Sequence, residues 1–307
     1  MIVVVGGRGF IGGAIVEALR AAKHNVVIVT HDKKAALSEG FRYGDMLYPE
    51  SLDSAVAGAE VVIQSATFST YPIEKPSRRH TFMEFDGTGT ENLISAARRA
   101  NARRYIYISG SGIPLTAPKP YFQAILRGEQ AVQNAGLESV CLRPTLIYGP
   151  RDRGLNRILA AARKLPVLPI VGDGNQLEQP VYIEDVAEVV RQAVAPGAPQ
   201  GLFEIGGPER FSIDEMLDRF MKFAGVKCRI VHIPYRLAKF GALCLEKLPG
   251  SLLTANAVDF LMENFIADTN QLLSTFNLSL TRFEEGLQKY IPTLHNNSFE
   301  GESLKAN

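Results

Sequence analysis

The stretch "IVVVGGRGFIGGAIVEALRAA", residues 2–22, decides the fold. It joins a short apolar run to a helical pattern, Ile11, Ile15, Leu19 and Ala22, through closely spaced glycines. The run reads as a buried strand, and the spacing after it as an amphipathic helix. Gly6, Gly9 and Gly12 recur every third position at the junction. Glycine permits a tight turn and close backbone approach, and a helix N-terminus offers free N–H groups and the positive end of its dipole. Placed between a strand and a helix, Gly6, Arg8, Gly9, Phe10, Ile11 and Gly12 predict a cradle for the pyrophosphate of a dinucleotide. The plainer alternative is a glycine-rich turn that only packs helix on sheet.

The pattern repeats outward. "NVVIVT" (25–30), "EVVIQSA" (60–66), "RYIYIS" (104–109) and "ESVCLRP" (138–144) read as strands with helical stretches between them. Such alternation implies a parallel sheet covered on both faces. After residue 150 helices lengthen and strands thin out. Ser212 with Glu215, and Thr281 with Glu284, stand in capping-box register before helices. The expected architecture is α/β, a doubly wound parallel sheet with a smaller, mostly helical C-terminal lobe. Residues 1–150 form the dinucleotide-binding core and 151–292 the substrate lobe, with segments returning to the core. Residues 293–307, polar and aperiodic, form a flexible tail.

The 307 residues are 46% hydrophobic and 21% charged, a soluble globular balance. A formal net charge of +1 gives no electrostatic footprint for nucleic acid or an acidic membrane. Cys141, Cys228 and Cys244 lie far apart with no metal-ligand spacing, so no metal is expected and a reducing compartment suits them. "MIVVVGG" reads as a strand and not as a leader, and no run of 18 uncharged apolar residues occurs. A cytoplasmic protein without a transmembrane segment is the expectation.

A grip on NAD usually uses an acid at the end of the second strand, on the ribose 2′-OH. Here that place holds Thr30, followed by His31, Asp32, Lys33 and Lys34. Asp32 is two places late, whereas His31, Lys33 and Lys34 suit a 2′-phosphate. The reading favours NADP and leaves NAD possible.

Together these segments resemble the short-chain dehydrogenase/reductase superfamily, in its extended and atypical, NAD-dependent epimerase/dehydratase-like branches. The resemblance covers most of the chain. By it, Asp45 and Met46 lie beside the adenine, and Ser65 and Ala66 pass the cofactor ribose. "DGTGTENLISAAR" (86–98) is similar to a family helix, with Asp86 where asparagine is usual. "YISGS" (107–111) resembles the strand that ends in the active-site serine, and "LRPTLIYGP" (142–150), with Pro144, the segment beside the nicotinamide. Residues 252–291 resemble relatives of the nucleotide-binding accessory subunit of respiratory complex I, a group with NADPH-binding members not known as turnover enzymes.

The resemblance implies that Tyr121 moves the proton and that Ser111, or else Ser109, orients the carbonyl. A lysine four residues after the tyrosine would lower its pKa; this chain has Ile125 there. A free phenol titrates near pH 10, so without a cation it is a weak base at neutral pH. Tyr121 is then expected to keep a near-ordinary pKa, and carbonyl reduction to be slow unless Lys119, a water or the substrate helps. Arg127 falls on the opposite side of the helix. Two functions follow. One is an oxidoreductase or epimerase/dehydratase on a small carbonyl, alcohol or sugar-nucleotide substrate. The other is a non-catalytic NADP(H)-binding scaffold or redox sensor.

The loop 67–85 follows a strand's carboxyl end, where substrate pockets form; Arg78, Arg79 and His80 are solvated surface charges by the favoured reading and contacts to an anionic substrate by the other. "PYRLAKFGALCLEKLPG" (234–250) puts Leu237, Phe240, Cys244 and Leu248 on one face. Packing on a core is the ordinary reading of such a helix. Contact with a membrane surface or a protein partner through 235–250 is the other.

Overall fold

The computed structural model describes residues 1–68, 74, 76, 80–110, 119–246 and 254–296, with 292–296 as backbone. Ser111, Arg78, Arg79 and Leu248 lie outside the described residues.

The first half alternates as the apolar pattern requires: β1 (Ile2–Val5), α1 (Phe10–Ala21), β2 (Val26–Thr30), β3 (Phe41–Tyr43), α2 (Leu52–Val56), β4 (Val61–Gln64), α3 (Thr90–Arg99), β5 (Arg104–Ile108), α4 (Pro120–Gln133) and β6 (Glu138–Pro144). A π-helical turn, Met83–Gly89, leads into α3. The second half holds β7 (Ile147–Tyr148), α5 (Leu155–Ala162), β8 (Val167–Val171), β9 (Leu177–Glu178), β10 (Val181–Tyr182), α6 (Ile183–Ala193) and β11 (Gly201–Ile205). Then come β12 (Phe211–Ser212), α7 (Ile213–Phe223), β13 (Arg229–Ile233), α8 (Tyr235–Leu245), α9 (Ala255–Phe260), α10 (Asn270–Thr275) and α11 (Phe283–Asn296).

Seven strands form one sheet in the order β3-β2-β1-β4-β5-β6-β11, every pairing parallel. Alternate residues feed two cores. Ile2, Val4, Ile28, Ile63 and Ile106 face α1 and α6, while Val3, Val5, Val29, Val62 and Tyr105 face α2 and α3. Burial on both faces is why these strands read as continuous apolar runs. The chain winds from β1 out to β3 and returns at β4, beside β1. Ligands bind at the crevice opened by such a reversal, outside the strands' carboxyl ends.

β11 comes back from the second half to pair with β6 from Gly201↔Val140 to Ile205↔Pro144. Its approach is pinned by Arg104, fully buried, which bonds Glu138 and the carbonyls of Ala198 and Pro199 at 2.7–3.1 Å. A third core, including Tyr148, Leu159, Phe220, Phe283 and Leu287, holds the C-terminal helices together.

Two local expectations separate here. The Ser212–Glu215 capping box forms, with reciprocal bonds of 2.9 and 3.2 Å. The Thr281–Glu284 box does not. The Thr281 hydroxyl donates to Asp185 at 2.8 Å, and Glu209 accepts the Phe283 N–H. A partner far along the chain outcompetes the local one.

Helix α8 also departs from the ordinary reading. Its small residues face inward: Ala238 and Ala242 pack on Val258 of α9. Leu237 and Phe240 point out, 61% and 66% exposed. Among the described residues no helix is long and apolar enough to cross a membrane.

Candidate functional site

At the sheet's reversal the glycine loop folds directly onto the segment after β4. Gly6 has φ +88°, and a Cβ there would lie 2.6 Å from the Ala66 nitrogen. A Cβ on Gly12 would stand 2.3 Å from the Gly6 oxygen and 2.4 Å from Ser65 Oγ. Gly6, Gly12, Ser65 and Ala66, far apart in sequence, thus meet in space. No side chain caps α1, and its first turn carries no acid. Those N–H groups and the helix dipole are left for an anion. Phe10 lies against Gly149, which brings the segment after β6 to the same mouth. Pro144 closes β6 opposite Ile205.

At the end of β2, Thr30 is buried, and its hydroxyl accepts the Asp32 N–H at 3.2 Å. Arg8 reaches across from the glycine loop to Asp32 at 2.8 Å. Asp32 also accepts the Lys34 and Ala35 N–H groups. The arginine and these N–H groups hold its carboxyl below the usual carboxylate range. His31, Lys33 and Lys34 are exposed beside it, with the Lys33 ammonium 5.3 Å from the Tyr43 ring. Met46 is buried, held through its carbonyl by Asn92 at 2.9 Å and packed on Gly89; the Asp45 carboxylate accepts the Leu47 N–H at 2.9 Å.

Tyr121 sits in the first turn of α4, behind Pro120. Its hydroxyl comes within 3.6 Å of where a Gly110 Cβ would be, at the carboxyl end of β5. Its ring packs edge-on against Phe82 (5.3 Å) and Phe260 of α9 (5.7 Å). Ile125, one turn on, is buried against Phe122 with Leu126 and Phe260 around it. The two cations nearest in sequence are engaged. Lys119 pairs with Glu263 and bonds the Asp259 carbonyl at 3.3 Å, and Arg127 grips Glu91 at 2.7 and 2.8 Å. The expectation of a near-ordinary tyrosine is corrected. Burial, and then the charge of Asp86, push the Tyr121 phenol well above its usual value. The residue as a whole is partly buried.

Ser109 is committed elsewhere. It donates at 2.6 Å to Glu129, which also binds Arg143 at 2.8 Å, a buried cluster behind α4. Sequence reasoning noticed Asp86 only as a replaced asparagine. The residue is 1% exposed; Oδ1 accepts the Phe68 N–H at 3.0 Å and Oδ2 has no partner among the described residues. Burial raises its carboxyl to about 7. The π-helical turn holds it there, and a buried chain runs alongside: Tyr105 donates to Gln64, Gln64 to Thr90 (2.8 Å), and Thr90 to the Asp86 carbonyl (2.7 Å). Among the described residues no His, Cys, Asp and Glu cluster suits a metal ion.

Residues 2–206 match the family model described as the NAD dependent epimerase/dehydratase family. A mitochondrial NADH dehydrogenase [ubiquinone] 1 alpha subcomplex subunit 9 from Arabidopsis thaliana is 28% identical over 249 residues, 77% of this chain. The match spans 61% of that protein's length. A 2-alkyl-3-oxoalkanoate reductase from Stenotrophomonas maltophilia is 26% identical over 282 residues, 81% of this chain and 83% of its own. The crystal structure of Thermus thermophilus UDP-glucose 4-epimerase in complex with NAD superposes with a TM-score of 0.73 at 21% identity, covering 97% of this chain and 99% of that one. At that identity the likeness concerns the fold alone.

Proposed function

This chain belongs to the NAD dependent epimerase/dehydratase family, and we propose on that premise that it reduces a small carbonyl substrate, with NADP(H) as its preferred cofactor. The residues fit a dinucleotide. A side chain at Gly6 or Gly12 would have no room, and the uncapped first turn of α1 supplies N–H donors for the pyrophosphate. For the 2′-phosphate we assign Arg8, His31, Lys33 and Lys34. The nearest acid, Asp32, is drawn off by Arg8. The bound reduced nicotinamide supplies the hydride.

The observation that carries the reading is the Tyr121 phenol at the β5 terminus beside Ile125, pushed well above its usual value by burial. Such a phenol keeps its proton at neutral pH. It is therefore a poor base for alcohol oxidation. Reduction asks the opposite of it: a proton held ready for an oxygen that becomes alkoxide-like, and thus more basic than phenolate. Burial of the phenol thus favours proton donation over proton removal, while the lysine's absence leaves the reduction slow unless the substrate or a water helps. Ser111 is the proposed group that orients the carbonyl, since Ser109 is committed to Glu129. Tyr105, Gln64 and Thr90 fix the start of α3 beneath the site. The free cysteines agree with a reducing compartment, and the cytoplasm is the proposed place of action.

The test is NADPH oxidation with a panel of small ketones and quinones. Tyr121→Phe should abolish turnover and leave NADPH binding intact. The second reading, a cofactor-holding scaffold or sensor, draws on Lys119 and Arg127 both being engaged away from the phenol. It prevails if NADPH binds tightly, no member of the panel is reduced, and none of the corresponding alcohols is oxidised with NADP.

A further inference from the structure

The outer surface of the second half is apolar and basic together. On α8, Leu237, Phe240 and Cys244 lie on one outward face, with Leu243 (44%) and Leu245 (46%) exposed at its flanks. α8 packs through Ala238 and Ala242 on the end of the β8–β13 ribbon, at Val171 and Ile233. One face of that ribbon is exposed as well: Val167 stands opposite Arg229, and Val231 opposite Pro169. Its other face, Leu168 and Ile230, turns inward. Apolar residues exposed on adjoining elements exceed what scattered surface leucines produce.

The charge beside this face is mainly positive, although Asp214 bonds His232 of β13 at 3.0 Å. Residues 222–246 hold five cations and a single acid, Glu246, in a chain whose net charge is +1. Glu246 accepts the Ala255 N–H. Lys222, Lys227 and Arg229 line an open groove of about 630 Å³ at the end of α7, with Asp218 its one acid. Arg236 is exposed on α8 itself. Lys239 is the cation of this stretch that is spent internally, on Asp259 and Tyr235.

We propose that α8 and the β8–β13 ribbon dock this protein on an anionic lipid bilayer, the leucines and Phe240 entering the interface while Lys222, Lys227 and Arg229 meet lipid phosphates. Charge complementarity commits the occupant. A second copy of the chain would bring the same cations against themselves, whereas a bilayer with acidic headgroups offers both an apolar layer and opposite charge. The inference is independent of the reductase reading.

The experiment is flotation of the full chain with phosphatidylcholine vesicles and with mixed phosphatidylcholine/phosphatidylglycerol vesicles, at low and high salt. Binding to the mixed vesicles alone, weakened by salt, is expected. Leu237→Glu/Phe240→Glu should reduce it about tenfold or more, since two large apolar groups leave the interface. Lys227→Glu/Arg229→Glu should erase the preference for the acidic lipid. Both variants should keep wild-type melting curves and dinucleotide affinity. Equal binding to both vesicle types, or binding unchanged in both variants, overturns the proposal. So does a dimer, seen by light scattering without vesicle binding, that Leu237→Glu/Phe240→Glu dissociates.

Discussion

Asp86→Asn should make the protein less sensitive to alkali. The native Asp86 carboxyl titrates at about 7 against 3.8 in an ordinary setting, because burial disfavours its charge. Between those values the native state keeps a proton that the unfolded chain has released. Stability is therefore complete below about pH 3.8 and falls as pH rises to about 7. Each pH unit in that window costs about 1.4 kcal/mol. From pH 5 to pH 8 the cost of carrying Asp86 grows by about 2.6 kcal/mol once titration in both states is counted. Asparagine is almost the same size, can keep the bond from the Phe68 N–H, and does not ionise. The gap in Tm between Asp86→Asn and wild type should thus widen by roughly 5–10 °C over that pH range, judged from the scaling for large domains. Thermal melts followed by circular dichroism at the two pH values measure it. A gap that stays constant from pH 5 to 8 would show that the carboxyl is already charged in the folded protein, and the burial argument would fail.

The same logic applies to Glu178, buried with one oxygen unpartnered among the described residues and raised to about 8, so Glu178→Gln should stabilise progressively as pH climbs from about 4.5 toward 8, again read by melts. Gly12→Ala forces a methyl into the Gly6 carbonyl and Ser65 hydroxyl; it should cost about 1–3 kcal/mol and remove dinucleotide binding in calorimetry, and wild-type affinity would refute the cradle. Lys33→Ala/Lys34→Ala should weaken NADP about tenfold, or about 1.4 kcal/mol, and leave NAD unchanged; tighter binding of NAD than NADP by the natural protein would count against the assignment. Ile125→Lys should bring tyrosinate absorbance to lower pH and open alcohol oxidation while destabilising the fold, because the new ammonium enters the apolar cluster of Phe122 and Phe260.

Much of the core was legible because doubly buried strands leave unbroken apolar runs, and helices between them show one period. The glycine loop was legible for a local reason: strand, glycine spacing and helix follow one another within a dozen residues, even though the backbone and side chain that crowd Gly6 and Gly12 include Ala66 and Ser65. The Ser212–Glu215 cap was similarly short-range. What escaped depends on distance along the chain. Lys119 is held by Glu263 and Asp259, and Thr281 serves Asp185, pairings no window of residues can display. Helical periodicity located the wide apolar face of α8 but not which side would turn inward. The depth of Asp86 likewise follows from the π-helical turn and Phe68 closing over it, whereas its sequence position said only that asparagine had been replaced.

The returning strand β11 sets a timetable for synthesis. Until residues 198–205 leave the ribosome, β6 has an open edge and Arg104 lacks the carbonyls of Ala198 and Pro199 that bind its guanidinium. At about 5–20 residues per second, translating residues 145–200 takes roughly 3 to 11 seconds. For that interval the nascent chain presents an apolar strand edge, a template on which neighbouring chains can pair. A transcript truncated anywhere between those codons leaves that edge without its strand, although the glycine loop and the segment after β4 have already been made.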